Sequence, residues 1–282
     1  MLKKIFKIIG LSIIIIIIFI GAFISNFPLN NLLESNIDKV NNLIAPYNLS
    51  YKSAESSFTG LKINGIEASS NIENMYLLVN TVSVPFFSFA FFTGQIPVET
   101  QLYRGTMDVK YDLFQNKVAL DFANINIGEI ALLEAMELFT NSPKLTGSVN
   151  LNLSSNSSRV DFQLSNTVFN GRSKSIDLAL NILPEEIIFT SISGDVSVQR
   201  NNKINLTVKL KGNFNGSISG QVVLNQRNNS ASVLNLTIKG ELSEAFYQDN
   251  QDLFYLAGEY LSNRNLHLHI SGKANNPQIK KL

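Results

Sequence analysis

Residues 204–224 read INLTVKLKGNFNGSISGQVVL, and two antiparallel strands are legible in them. Ile204, Leu206, Val208 and Leu210 alternate with Asn205, Thr207 and Lys209, and the chain returns through Ile218, Val222 and Leu224. Side chains alternate across a strand, so this spacing sends one face to a core and the other to water. The returning strand also carries the phrase apolar, polar, Gly, polar, apolar, which occurs five times after residue 144. Its copies are Leu145-Thr146-Gly147-Ser148-Val149, Ile192-Ser193-Gly194-Asp195-Val196, Ile218-Ser219-Gly220-Gln221-Val222, Ile238-Lys239-Gly240-Glu241-Leu242 and Ile270-Ser271-Gly272-Lys273-Ala274. Each glycine shares a face with the apolar residues of its phrase, and so notches the apolar row. Glycine there lets a strand bend or bulge, or lets a second backbone or a ligand come close. The phrase points to a curved antiparallel sheet with a recessed apolar face. Gly147, Gly194, Gly220, Gly240 and Gly272 are its candidate groove or contact positions.

The same alternation extends outward in both directions, through Leu61/Ile63, Met107/Val109/Tyr111, Val118/Leu120/Phe122 and Val160/Phe162/Leu164 to Leu234/Leu236/Ile238 and Leu266/Leu268/Ile270. Polar clusters at Ser154–Ser158, Arg200–Lys203 and Gln226–Ser230 separate the runs, as hairpins in a meander require. The fold expected is mainly β: a curved antiparallel sheet, either a meander or a half-open barrel, with a few capping helices. Those helices are expected at 127–140 (IGEIALLEAMELFT), about three turns of strong helix formers, and within 243–262.

The amino-terminal end is different in kind. Ile8 to Ile24 is an uncharged run of 17 residues that includes Ile13, Ile18 and Phe19. That is at the short end of what spans a bilayer, and Ser25 to Phe27 can extend it. The rival reading, a cleaved signal peptide, needs small residues before the cut, and Phe23/Ser25 or Ala22/Ile24 fit poorly. Lys3, Lys4 and Lys7 put the amino terminus in the cytoplasm and the bulk of the chain on the far side, the periplasm in a bacterium. Residues 1–27 therefore read as a basic end and single-pass anchor, and 28–282 as a β-rich domain. That domain opens on an amphipathic helix at 29–45, bounded by Pro28 and Pro46. The helix is expected to cap the apolar sheet; a helix lying on the membrane surface is the other reading, weakened by the acidic residues of its polar face.

Composition limits the partners. At 282 residues, 45% hydrophobic and 16% charged, the chain can bury a core in one or two domains. The net charge is +1, and once the three leading lysines are set aside acids slightly outnumber bases, so no basic stripe invites nucleic acid. The absence of cysteine excludes disulfides, thiolate metal sites and a cysteine nucleophile.

Few residues suggest chemistry. His267 and His269 share a strand face, but a metal needs further ligands, and the chain has no other histidine. Glu185 and Glu186 follow Pro184 in a turn, where adjacent carboxylates cannot face each other across a cleft as glycosidase chemistry requires. No nucleophile elbow, P-loop or dinucleotide fingerprint occurs, so no enzyme, cofactor or metal is expected. Between Pro85 and Phe92 the chain reads PFFSFAFF. Phe86, Phe87, Phe89, Phe91 and Phe92 form either a buried strand or helix, or an aromatic lip for lipid or a partner.

The anchor, the amphipathic segment, VSVPFFSFAFFTGQIPVETQLYRGTMDVKYD at 82–112, the Gly-centred strands and the ending LHLHISGKANNPQIKKL together resemble the bacterial type II secretion system protein N (GspN) family. More distantly they resemble the periplasmic AsmA-like proteins. The resemblance implies an inner-membrane protein with a periplasmic β-rich domain, an accessory of the machinery that exports folded proteins, with no catalytic residues. The implied partners are the membrane and other secretion-system proteins. The AsmA-like side of the resemblance implies an alternative, a lipid-binding or envelope-maintenance protein that handles phospholipid in an apolar groove.

Overall fold

The computed structural model describes residues 37–282 except 40, 43–44, 46–47, 58, 71–74, 86–87, 89–92, 156, 174–183, 200, 226–230, 257 and 259. The expected anchor, with Ile8, Ile13, Ile18, Phe19 and Ile24, lies outside the described residues, as do Phe86, Phe87, Phe89, Phe91 and Phe92. Among the described residues no helix is long and apolar enough to cross a membrane. Of the expected amphipathic helix at 29–45, residues 37–39 and 41–42 are described as helical and residue 45 as a turn. The chain divides into two compact units, the first ending at Leu102 and the second spanning Tyr103–Leu282.

In the first unit, β1 (Asn48–Ser50) and β2 (Ser53–Ser57) both pair with β3 (Gly60–Ser70), which is followed by β4 (Met75–Pro85) and β5 (Gln95–Leu102). The two short strands share one edge of β3, β1 opposite Glu67–Ser69 and β2 opposite Gly60–Asn64. The break between them falls at Gly65, which has φ +62, and Lys52 fills the space a side chain would need, its Cδ 2.6 Å from a Cβ built there. A free strand edge offers unpaired amides to other chains. Asn41 blunts this one, its Nδ2 donating to Leu49 O at 3.1 Å and its Oδ1 accepting from Leu49 N at 2.7 Å. One side-chain amide thus stands in for the next strand at that residue.

The second unit is a nearly pure meander. It runs β6 (Gly105–Asp112), β7 (Lys117–Asn126), β8 (Lys144–Asn152), β9 (Ser157–Asn170), β10 (Glu186–Val198), β11 (Lys203–Gly212), β12 (Phe214–Val223) and β13 (Val233–Leu242), each paired antiparallel with the next. β13 pairs with β15 (Asn265–Lys273), whose other edge receives β14 (Leu261–Ser262) and β16 (Asn276–Lys281). Among the described residues the first and last strands do not pair, so the sheet does not close. The expectation of a mainly β, antiparallel fold is met.

Because sequence neighbours are spatial neighbours, the connections alternate between two ends of the second unit. At one end β7 leads to β8, β9 to β10, β11 to β12 and β13 to β15; at the other, the turn end, β6 leads to β7, β8 to β9, β10 to β11, β12 to β13 and β15 to β16. The two helices that the sequence predicts within the second unit lie at the first end and are shorter than expected. In place of three turns over 127–140 there is a 3-10 turn at Ile127–Glu129 and α1 (Ala131–Ala135). Ile130 between them is extended, and Glu137 at φ 51 ends the segment so that Phe139 can bridge to Phe169 on β9. The second expected helix is split at Asn250 into α2 (Glu244–Asp249) and α3 (Gln251–Leu256). In both places tertiary packing overrides helix propensity.

The core lies at this helical end. Phe189, Ile192, Phe214, Leu242 and Phe246 are buried together, with Phe162, Leu164, Phe169 and Ile187 against them. Phe162 and Leu164 are even-numbered and Phe169 odd, so the apolar row of β9 changes parity; Asn166, at φ 51, absorbs the change. β10 changes likewise between Phe189 and Ile192, where its register against β11 slips by one residue. Toward the turn end the row is half-buried only, as at Val149, Val160, Val196, Leu206, Val222, Leu234 and Ile270.

Replacing Asn41 by alanine removes both edge hydrogen bonds, each worth about 1 kcal/mol net. Amide exchange at Leu49 is expected to accelerate while amides of β7–β9 keep their protection. Unchanged exchange at Leu49 would show that the edge needs no plug.

Candidate functional site

Register decides what the glycines do. Across β7, β8, β9 and β10 the aligned residues at one level are Phe122, Gly147, Phe162 and Gly194. Large and absent side chains alternate along this row. A Cβ on Gly147 would lie 2.1 Å from the backbone Asp161 O and 2.9 Å from Phe122 Cζ, and one on Gly194 would lie 2.6 Å from Phe162 Cε1 and Cζ. Each ring therefore occupies the space beside the glycine of the neighbouring strand. Gly240 faces Gly216 across β12 and β13, and Phe214 covers both, 2.6 Å and 2.8 Å from the positions their Cβ atoms would take. Three of the five notches foreseen in the sequence, at Gly147, Gly194 and Gly240, are thus seats for the protein's own rings.

No ring is among the nearest atoms at the other two, although the close backbone approach seen at Gly220 is shared by Gly147 (Asp161 O at 2.1 Å from its built Cβ) and Gly240 (Asn215 O at 2.4 Å). Gly220 has φ +145, and a Cβ there would sit 2.1 Å from Asn235 O, so the residue serves a close approach of two backbones. Gly272, at φ +95, lies near the end of β15, where a Cβ would meet nothing closer than Asn276 O at 3.5 Å. Gly220 is level with Leu206, Leu236 and Ile270, whereas Gly272 is level with Leu234. The five glycines consequently do not align into one trench. Sequence reading missed Phe122, Phe162, Phe214 and Gly216 as their partners. The signal was a phenylalanine in the apolar row of an adjacent strand, but it becomes informative only once register is known.

On the opposite, polar face, β8 to β11 form a trough of about 540 Å³. Its lining includes Thr146, Ser148, Gln163, Ser193, Thr207 and Lys209 around Asp161 and Asp195. The two carboxylates are direct cross-strand partners, an arrangement that repels. Arg159 offsets it, with Nη2 2.8 Å from Asp195 Oδ2 and Nε 3.5 Å from Asp161 Oδ2. All three side chains are substantially exposed, so the cluster contributes little to stability. The trough sets hydroxyl, amide, carboxylate and ammonium groups among apolar atoms that make up most of its exposed lining, a surface of mixed character.

His267 and His269 lie opposite Lys239 and Thr237 on β13, in the polar row, while Leu268 is buried. Glu185 pairs with Arg172 at 3.4 Å and Glu186 begins β10, so the two acids part company. Among the described residues no group of three or more His, Cys, Asp or Glu is placed to hold a metal ion. No protein-family model, no curated protein and no solved structure matches the chain.

Gly194→Ala is expected to cost about 1–3 kcal/mol through overpacking against Phe162, and Phe162→Leu in the same chain is expected to recover part of it. Denaturant unfolding of the two single variants and the double variant checks this, and simple additivity would disprove the seating. Gly220→Asp, facing backbone and not a movable ring, is expected to lose about 3 kcal/mol with no such rescue.

Proposed function

We propose that this chain is a non-enzymatic, membrane-anchored component of the bacterial type II secretion system, acting through protein contacts made by its periplasmic β-rich part. In this reading Ile8–Ile24 is a single-pass inner-membrane anchor with the amino terminus cytoplasmic, and the sheet is curved. The observation that carries it is the Phe-over-Gly seating. Phe122, Phe162 and Phe214 occupy the notches, so the sheet around them is a self-filled, stiff support, and its polar face, with the β8–β11 trough, is the surface left for a partner. The resemblance carried by the anchor, the Gly-centred strands and the terminal Asn276-Pro277 supports the same setting.

A second reading, an AsmA-like lipid-binding or envelope-maintenance protein, is favoured by a different observation: toward the turn end Leu206, Val222, Leu234 and Ile270 are only half-buried. An acyl chain could lie along that part of the row, where no ring fills the space.

A photocrosslinking residue placed at Ser193 in the trough is expected to capture a component of the inner-membrane secretion platform, and deletion is expected to impair export of the system's substrates. Normal export after deletion sinks the first reading. Native mass spectrometry of the detergent-extracted chain then tests the second, which requires a bound phospholipid mass and fails on a clean apo mass.

A further inference from the structure

The turn end of the second unit breaks a local rule. Hairpin tips are ordinarily polar, because they lie in water and their backbone groups need hydrogen bonds. Here the tip between β6 and β7 presents Leu113 at 52% exposure and Phe114 at 83%, and the tip between β8 and β9 presents Leu153 at 45%. Leu224 at 38% follows β12, and Val223 and Val233 pair across β12 and β13 as exposed apolar residues on the otherwise polar face.

These tips are built, not frayed. Asp112 Oδ1 accepts from Phe114 N at 3.0 Å and Gln115 N at 2.8 Å, and Asn152 Oδ1 accepts from Ser154 N and Ser155 N at 3.1 Å each. Two neighbouring tips are tied together, Leu153 N donating to Asn116 O at 3.1 Å and Asn116 Nδ2 to Ser154 Oγ at 3.4 Å. Rigid turns holding apolar side chains in water are a site where sequence serves something other than folding.

The two ends differ in charge. Among the described residues Lys117, Lys203 and Lys273 flank the tips, together with Asp112, which caps its own turn and lies directly across the strands from Lys117. None of the three lysines has an ion-pair partner among the described residues. The connections at the helical end carry Glu134, Glu137, Asp249 and Asp252, exposed and without a cation among the described residues, beside the flanking Lys144 and Lys211, so that end is of mixed charge. An exposed aromatic occurs there too, Tyr255 at 86%, but beside Asp252 and Asp249. Apolar tips ringed by lysine fit one partner: the headgroup layer of an anionic membrane, where apolar side chains enter the acyl boundary and ammonium groups meet phosphates.

We propose that the turn end of the second unit docks on an anionic lipid surface, with Phe114, Leu113, Leu153 and Leu224 inserted and Lys117 and Lys203 on the headgroups. The half-buried apolar rows rise toward this end, so docking shelters them as well. This proposal rests on neither reading of the protein's partners.

The chain contains no tryptophan, so one introduced indole reports alone. Full-length chain carrying Phe114→Trp, or Tyr255→Trp as the control at the opposite end, is incorporated into vesicles of phosphatidylcholine with or without phosphatidylglycerol, each with brominated acyl chains. In phosphatidylglycerol vesicles the Phe114→Trp emission is expected to shift to the blue and lose roughly half its intensity, as insertion by about 5–10 Å implies. Tyr255→Trp is expected to stay unquenched, and Lys117→Glu with Lys203→Glu is expected to abolish the dependence on phosphatidylglycerol. Equal quenching at both positions, or none at Phe114→Trp in a chain that floats with the vesicles, overturns the proposal and leaves the anchor untouched. A blue shift without bromine quenching overturns it in favour of a protein partner. Circular dichroism and unfolding matching the parent chain confirm that each variant is folded.

Discussion

A sheet with one apolar face depends on register, because a slip of one residue turns the whole apolar row of a strand into water. In long meanders of similar strands many slips are nearly equivalent, since Ile, Leu and Val replace one another with little change in volume. The Phe122–Gly147–Phe162–Gly194 row removes that equivalence. A shift of two residues keeps the apolar face inward but sets each ring against a side chain, where a Cβ at 2.6 Å cannot be accommodated. Glycine alone weakens a strand, and the ring lying beside it restores the buried area. The pairing therefore specifies one alignment of four strands, and the rest of the second unit extends from it.

From that row the sheet departs differently in its two directions. Toward the helical end, α2 lays Phe246 onto the apolar face, Tyr247 stacks on Phe254 at 5.7 Å, and Arg264 ties Glu241 to Glu244. Toward the turn end nothing comparable covers Leu206, Leu234 or Ile270 among the described residues. Local stability follows buried apolar contact, so the strands are expected to be firmest at their helical ends. The end with the weaker core is also the one whose hairpin tips expose Leu113, Phe114 and Leu153.

The strands were legible because period-two alternation survives even where hairpins are short: Ile204 to Leu210 and Leu234 to Ile238 lie in strands with their apolar residues on one row. The helices were less so. Residues 127–140 have helical spacing, but Phe139 finds Phe169 at a ring separation of 5.0 Å, and propensities worth tenths of a kcal/mol yield to that contact. Parity changes at Asn166 and Thr190 were invisible, since any asparagine or threonine in a strand looks alike until its φ is known. The position of each glycine in the apolar row follows from alternation, but what lies beside it depends on pairs far apart in sequence, such as Phe162 and Gly194. A single strand records which of its residues are small, never which neighbour supplies the ring.

Edges narrow the ways in which such a sheet can associate. The edge formed by β1 is occupied at Leu49 by the side chain of Asn41. The last strand, β16, is exposed along its length and carries Pro277, Lys280 and Lys281, residues that discourage the addition of another strand. With strand addition disfavoured at β16 and glycine seats already filled, what the second unit offers to the outside is its polar face with the Asp161–Arg159–Asp195 trough, and its apolar turn end. The first mixes hydroxyl, amide and charged groups with apolar lining, suited to a partner held at modest strength. The second combines a rigid aromatic tip with unpaired lysines, a chemistry that costs stability in water and gains it at an anionic apolar boundary. Contacts of these two kinds can be made at once, because they use different sides of the same strands.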